Sequence, residues 1–532
     1  MTKPIGERKA ASVTPRRVSL LCKKTLAFGG AVMAAVCAMA QLNLIPAPRE
    51  VKETGGFFVS ASGGDSVPVR SEIDASVPKE GYRLSVTADG ISVKAADEAG
   101  LFYARQTLKQ LGENSGKEWR YLCVEIGDWP AFRWRGVMLD EARHFLGKEV
   151  VMRLIDRMAE YKYNVFHWHL TDDQGWRIEI KRHPELVEYG AVRPKSVKFG
   201  TRVTYVNRKP TYQYNAERYG PFFYTQDDVR EMIAYAKARH VKIVPEIEAP
   251  GHVRALLAAH PEFGCRGEAL ERVPRCAWAV EEDVLCAGND EAVAFVEDVL
   301  DEVQKLFGAD VIHIGGDECP KVRWRECPKC LARIEKEGLR DVKSLQAWIS
   351  TRFTRHLEKR GCRVVGWDEI LAGDIPQSAI GMCWRMSSKG GAGDDLVTPK
   401  VAAQRGHEVI VASTAYCYVS RSQGLPEDPY PYHTYHLPLS LEKAYGYDPL
   451  DGLDEAEAKQ VIGGEACMWG ESLWNVFDLE WKMWPRGMAL AEIFWTNPKS
   501  RDFADFKRRA SVHRGRLISE RVNCAPVESA SR

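Results

Sequence analysis

Val311-Ile-His-Ile-Gly-Gly-Asp317-Glu318 follows one helical run, Asp290–Phe307, and precedes another, Val342–Arg360. A short β-branched stretch ending in a glycine pair and two carboxylates is the pattern of a buried strand with polar groups at its carboxyl end. The same unit recurs on both sides. Candidate strands are Gly136–Asp140, Asn164–Leu170, Val241–Glu246, Val311–Gly315, Arg363–Trp367, Ile380–Trp384, Glu408–Ala412 and Val461–Met468. Helical periodicity lies between most of them, as in Lys148–Tyr161 and Thr225–Arg239. Eight strands alternating with helices predict an α/β fold of the (β/α)8, or TIM, barrel type. A doubly wound sheet is the alternative, but no GxGxxG or phosphate loop follows the first strand.

Outward from the barrel, residues 131–515, the segment 41–130 reads as a small α+β domain. Tyr82-Arg-Leu-Ser-Val and Ile91-Ser-Val-Lys-Ala alternate around the turn Asp89-Gly90, and Glu98–Leu111 is an amphipathic helix with Leu101, Ala104, Leu108 and Leu111 on one face. Residues 516–532 read as a tail. Residues 1–40 read as a secretory signal peptide: Lys3, Arg8, Lys9, Arg16, Arg17, Lys23 and Lys24, then the apolar run Leu26–Ala38, then the small-x-small site Ala38-Met39-Ala40. That apolar run is too short to span a bilayer. Arg16-Arg17 admits a twin-arginine route and Cys37 a lipid anchor, although Val36 is bulky for the latter. The expectation is export to periplasm, cell surface or medium.

The 532 residues carry 74 basic and 73 acidic side chains, a net charge of +1. Removal of the leader leaves 492 residues with 67 basic and 72 acidic, about −5. Neither balance favours nucleic acid or acidic lipid. A charged fraction of 28%, a hydrophobic fraction of 45% and a mean hydropathy of −0.33 exclude a disordered chain and a polytopic membrane protein. Twelve of the 14 cysteines fall in the mature chain. Cys265, Cys276 and Cys286 form one group and Cys319, Cys327 and Cys330 another, with Cys327-Pro-Lys-Cys330 a CxxC. A zinc site needs a fourth ligand, and no second CxxC or paired histidine follows at finger spacing. Structural disulfides or free thiols are therefore expected, and no metal.

In a barrel of this kind, chemistry sits at the carboxyl ends of the strands. Those ends carry Asp140 and Arg143, His167, His169 and Asp172, Glu246 and Glu248, Asp317 and Glu318, Trp367 and Asp368, Trp384 and Arg385, Tyr416 and Tyr418, and Trp469 and Glu471. Adjacent carboxylates such as Asp317 and Glu318 suit a proton donor beside an orienting group.

His-Ile-Gly-Gly-Asp-Glu resembles the signature of family 20 glycoside hydrolases, the β-N-acetylhexosaminidases. So do Arg135-Gly-Val-Met-Leu-Asp-Glu-Ala-Arg-His-Phe145, Asn164-Val-Phe-His-Trp-His-Leu-Thr-Asp-Asp-Gln-Gly-Trp176, Pro245-Glu-Ile-Glu-Ala-Pro-Gly-His252, Gly366-Trp-Asp-Glu369 and Trp469-Gly-Glu471. These motifs keep family order from about Leu42 to Trp495, and the leading domain resembles the one preceding the family's barrel. The resemblance implies an exo-acting, retaining enzyme without a cofactor that releases terminal β-linked N-acetylhexosamine from glycans. It implies Glu318 as general acid/base, Asp317 as the carboxylate holding the 2-acetamido group, and Tyr418 as the hydroxyl on the acetamido oxygen. It implies Arg135 and Glu471 as sugar-hydroxyl ligands, and Trp367, Trp384 and Trp469 as aromatic walls. His252 and Asp172 are expected to pair behind Glu318 and to help raise its pKa.

One position departs from the family. Ser420 stands where members often carry an aspartate that binds the 4- or 6-hydroxyl, which leaves the gluco/galacto preference open, with Asp428 the candidate substitute. Three other readings compete. His167-Trp-His169 resembles a metal-binding HxH pair, but on the second strand and without the further histidines such hydrolases need. A glycan-binding barrel without catalysis is opposed by the intact Asp317, Glu318 and Tyr418. A lacto-N-biosidase specificity needs a subsite the sequence does not display. A homodimer is left open.

Overall fold

The computed structural model describes residues 42–198, 204–206, 209–385, 396–426, 428, 437–496 and 498–527. The expected leader lies outside them. Eight parallel strands close a barrel: β1 (Trp134–Asp140), β2 (Val165–His169), β3 (Lys242–Glu246), β4 (Val311–His313), β5 (Arg363–Trp367), β6 (Ile380–Cys383), β7 (Val409–Val411) and β8 (Val461–Met468), with β8 paired to β1. All eight were legible as strands. Among the described residues, no helix is long and apolar enough to cross a membrane.

The strands are apolar or buried along their length because both faces are covered, and alternation decides which face each side chain takes. In β2, Phe166 and Trp168 point out into the helix layer, while His167 and His169 point inward. Inward positions on other strands, among them Met138, Val244, Val365, Trp367, Ile380, Met382 and Ile410, form a separate apolar core inside the barrel. Register sets Asp140 beside His169, His169 beside Glu246, and Glu246 beside His313. Polar groups from four adjacent strands therefore sit near one level of the mouth.

The interior is also crossed by an acid–base chain. Glu465 meets His167 Nδ1 at 2.7 Å, His167 Nε2 meets Glu246 at 2.9 Å, and Glu246 meets His313 Nδ1 at 2.7 Å. Gly136 makes room for it, since a Cβ there would stand 2.4 Å from Glu465 Oε2.

The leading domain is a mainly antiparallel sheet with Trp119–Asp128 between Glu50–Ser60 and Tyr82–Thr87, followed by Gly90–Ala95 and Arg70–Ile73. Helix Glu98–Leu111, capped by Asp97, packs Tyr103, Ala104, Leu108 and Leu111 onto it. The last helix, Phe503–Ser519, runs through the boundary expected at 515, and beyond it Val522, Cys524, Ala525 and Val527 are buried. Residues 516–527 are thus part of the packed body. Arg509 fixes that helix through Glu492 at 2.7 Å and the carbonyl of Leu44 at 2.8 Å.

One expected site residue is displaced by this architecture. Arg135 is the second residue of β1, at the amino end of the barrel and at the opposite end from Asp317 and Glu318. Its guanidinium is buried and donates to the carbonyls of Lys162 and Phe132, to Glu80 at 2.7 Å and to the Tyr103 hydroxyl at 3.1 Å. It joins barrel to leading domain instead of facing the mouth. Arg135→Met, which strands Glu80 and two buried carbonyls, is expected to cost about 3 kcal/mol in urea unfolding. Unchanged stability with a raised KM for sugar would restore the binding role.

Candidate active site

Past His313, β4 ends in a left-handed turn. Gly315 and Gly316 have φ of 65° and 99°, and Glu318 itself has φ of 44°. At Gly315 a Cβ would meet Glu248 Oε2 at 1.7 Å, so only glycine lets the chain pass that carboxyl. The turn sends the two neighbouring acids into different environments. Asp317 is buried, whereas the Glu318 side chain keeps 44% of its surface exposed. Gln346 steadies the turn by donating to the Gly316 carbonyl at 2.6 Å.

His252 holds the pair. Its Nε2 lies 3.5 Å from Asp317 Oδ2 and 3.6 Å from Glu318 Oε2. Its Nδ1 is 3.3 Å from both Asp172 and Asp173. The expected His252–Asp172 pair is therefore present, with Asp173 as an unforeseen second partner. Burial works against a charged His252, yet Asp172 and Asp317 carry its pKa well above the ordinary value. Burial pushes the Asp317 carboxyl up to about 6 against the opposing pull of His252. For Glu318, burial pulls upward but the His252 hydrogen bond prevails, and its pKa falls below the usual value. That reverses the expectation of a raised Glu318: the acid displaced upward is its neighbour.

Two further acids, a buried Glu248 and a mostly covered Glu369, surround the turn. Burial, with Asp317 and Glu246 adding to it, holds Glu248 well above the carboxylate range, and His169 stands 3.5 Å away. Burial and Asp368 push Glu369 up to about 8. Glu369 accepts from the Trp384 indole at 3.0 Å and from the Glu318 backbone at 3.4 Å, which positions both. Sequence placed Glu248 at a strand end without giving it a role, and Glu369 stood only inside the quoted Gly366-Trp-Asp-Glu369 motif.

The guanidinium at the mouth is Arg143. It meets Asp172 at 2.8 Å, Asp140 at 3.1 Å and Gln174 at 2.9 Å, and lies 5.1 Å from the Trp469 ring centroid. Burial raises the Glu471 carboxyl while Arg143 pulls it back, so the two share one corner. Arg143 lies three residues past the end of β1, a position the strand-end rule already marked.

The aromatic residues converge as expected. Trp469 lies 5.6 Å from Trp367 and 5.8 Å from Tyr418, whose ring is nearly parallel to Trp384 at 6.5 Å. Trp367 is fully buried and donates to Glu246 at 2.9 Å, so it forms the floor, while Trp384 and Trp469 are more open. Burial, then Cys467 and Asp317, keep the Tyr418 phenol protonated, an O–H donor at neutral pH. Ser420 is buried beside it, its carbonyl taken by Lys482 at 2.7 Å. Asp428 does not replace the missing aspartate. Its Oδ1 accepts from Trp481 of helix Val476–Met483 at 2.9 Å, and its Oδ2 from Gly424 at 2.8 Å and Leu425 at 3.2 Å, which ties it to that helix and to its own loop.

A barrel whose mouth gathers a carboxylate pair, a shared imidazole, a phenol and three indoles has the equipment of a carbohydrate-processing enzyme. Residues 132–498 match the catalytic domain of glycosyl hydrolase family 20, and residues 59–129 match domain 2 of that family. The chain belongs to glycosyl hydrolase family 20. It is 40% identical to a β-hexosaminidase of Porphyromonas gingivalis over 85% of this chain, but spans only 55% of that relative's length. It is 30% identical to a β-hexosaminidase of Akkermansia muciniphila, covering 91% of this chain and 92% of the relative. Among solved structures, the exo β-N-acetylglucosaminidase of Vibrio harveyi in complex with N-acetylglucosamine superposes with a TM-score of 0.78 at 30% identity, over 91% of this chain and 78% of that one.

Proposed function

We propose that the chain is an exo-acting, retaining β-N-acetylhexosaminidase that releases terminal, non-reducing β-linked N-acetylglucosamine or N-acetylgalactosamine from glycans by substrate-assisted catalysis. The observation that carries this reading is the pairing of a buried Asp317 with a solvent-reachable Glu318 beneath the aromatic cluster of Tyr418, Trp384 and Trp469.

Glu318 protonates the leaving oxygen while the substrate's own acetamido oxygen attacks the anomeric carbon and displaces it. Positive charge then develops on the amide nitrogen, where Asp317 stabilises it. Tyr418 donates to the acetamido oxygen and aligns it for attack, and an intramolecular nucleophile has a high effective molarity. Water opens the resulting oxazolinium ring, with Glu318 returned to its ionised form and acting as base, so configuration is retained. Family 20 thus departs from the scheme in which a second carboxylate is the nucleophile. Arg143 and Glu471 supply the polar corner for ring hydroxyls, the role expected of Arg135. The bound N-acetylglucosamine of the Vibrio harveyi enzyme supports the substrate class.

Export belongs to the same proposal, resting on the basic and apolar runs of residues 1–40; intact mass of the processed protein is expected to correspond to a start at Gln41.

On an aryl β-N-acetylglucosaminide, Glu318→Gln is expected to lower kcat by about 10²–10⁴-fold. Asp317→Asn should lower kcat by about 10²-fold or more with the fold intact. Wild-type rates in Asp317→Asn would refute substrate assistance, tight sugar binding without turnover would favour a lectin-like barrel, and release of an intact disaccharide would favour a lacto-N-biosidase.

The pH profile follows from the two carboxyls. The working state holds one proton on the Asp317–Glu318 pair, and the pair's two macroscopic pKa values lie near 6 and below the ordinary carboxylate value. Above about 6 that proton leaves, so kcat/KM is expected to fall on the basic side with an apparent pKa of about 6. Below the lower value the second proton binds and kcat/KM falls again. Asp317→Asn should abolish the limb near 6; a limb that persists there assigns it elsewhere.

A further inference from the structure

Four cysteines from two different connections meet on one side of the site. Cys265 and Cys286 lie between β3 and β4, and Cys327 and Cys330 lie beyond β4 at the start of helix Pro328–Lys336. The sulfur of Cys286 is 3.6 Å from that of Cys327 and 3.7 Å from that of Cys330, and Cys330 is 3.8 Å from Cys265. All four sulfurs lie within 4.8 Å of one another.

These separations are far longer than the roughly 2.05 Å of an S–S bond. Two disulfides would also pair the sulfurs off, whereas here Cys286 and Cys330 each touch two others. Metal–thiolate bonds of about 2.3 Å in a tetrahedron put neighbouring sulfurs about 3.8 Å apart. The three contacts given above fall at or just under that edge.

The surroundings suit thiolates. Cys327 caps the helix and Cys330 follows in its first turn, where unpaired N–H groups and the helix dipole favour negative charge. Cys286 takes a backbone hydrogen bond from Gly288. A Cβ on Gly288 would stand 2.1 Å from the backbone of Lys329, so the two connections are pressed together at this point. Cys286, Cys327 and Cys330 are buried and Cys265 is partly covered. Cys276 and Cys319, which sequence grouped with them, are absent from the cluster.

We propose that Cys265, Cys286, Cys327 and Cys330 form a structural zinc site of the tetrathiolate class. Binding exchanges four thiol protons for one Zn²⁺ and leaves a Zn(S⁻)₄ centre of charge −2, with no open position for substrate. The four thiols are unbridged in the structure; spacing along the chain pointed away from metal because it sought a second close pair. The second pair is separated by twenty residues and comes from the preceding connection.

The site clasps the segments that carry the catalytic groups. Leu285, next to Cys286, donates to the carbonyl of Pro250 at 3.0 Å and accepts from the Trp324 indole at 2.9 Å. Pro250 precedes His252 by two residues, and Trp324 follows Glu318 in the other connection. Zinc therefore holds His252 and Glu318 in register without touching substrate.

The test is elemental analysis of the full-length, tag-free protein after dialysis into metal-free buffer. One zinc per chain is expected, released by an organomercurial with four thiols consumed per zinc. Protein produced with cobalt should show tetrahedral thiolate–cobalt absorption. Cys286→Ser and Cys330→Ser should lose the zinc and lower Tm by about 5 °C or more, with Cys362→Ser as a control that keeps it. Iron in place of zinc, disulfides among these four on peptide mapping, or four reactive thiols with less than a tenth of a zinc per chain would overturn the assignment. The wild-type ratio stands even where a variant fails to fold.

Discussion

Everything at the mouth of this barrel depends on keeping charge where water has been removed. Asp317 is a buried carboxylate with Glu318, Glu246 and Asp172 all acting to raise its pKa, and His252 is the cation that opposes them. An isolated carboxylate in such a place would take up a proton. The protein places bases between the acids instead. His252 stands between Asp172–Asp173 and Asp317–Glu318, His169 between Asp140 and Glu248, and His167 between Glu465 and Glu246. Burial opposes the charged form of His167, but Glu465 and Glu246 carry its pKa up to about 9. The imidazoles that resemble a metal-binding HxH pair are thus engaged by carboxylates of other strands, and His167 shares Glu246 with the indole of Trp367.

This arrangement also explains how two adjacent acids divide their labour. A regular strand would point Asp317 and Glu318 to opposite faces, one inward and one into the helix layer. The turn at Gly315 and Gly316 breaks that rule and brings both to one imidazole, with one covered and one reachable from solvent. Glycine is required by the Glu248 carboxyl beneath Gly315 as much as by backbone angle, so an acid from β3's edge shapes the tip of β4.

The fold was legible because its signal is repeated: eight buried runs, each ending in polar residues, survive errors of one or two residues at any boundary. The site was legible where motif and strand end coincide, as at Asp317, Glu318, Tyr418 and Trp469, and at His252 through its motif alone. It failed at Arg135 for a directional reason. Arg135 and Arg143 belong to one quoted motif but lie at opposite ends of β1, about 3.3 Å apart per residue, and only the carboxyl end faces the mouth. It failed again for the pKa of Glu318, because the His252–Asp172 pair was expected to raise it, whereas burial pulls it up and the charged His252 beside it outweighs that pull. Spacing along the chain also hid the proximity of four cysteines that come together across two connections.

Those connections pose the remaining physical problem. The chain between β3 and the helix at Asp290 runs for more than forty residues with only short helical turns, and it delivers His252. A segment of that kind is ordinarily mobile and costly to order. His252 nevertheless must sit between two carboxyl groups within hydrogen-bonding reach, in a left-handed backbone conformation with φ of 50°. Local packing answers part of this, through Arg254 on Glu271 and Arg266 on Asp283. The rest is answered where the segment meets the chain that follows Glu318: Arg323 on Asp283, Trp324 on Leu285, and the four sulfurs together. Both sides of the Glu318–His252 contact are thereby anchored to each other outside the barrel as well as through it. An imidazole that holds an acid a few ångströms away gains from that double attachment, because a shift of about 1 Å at either partner would cost the contact that lowers the acid's pKa.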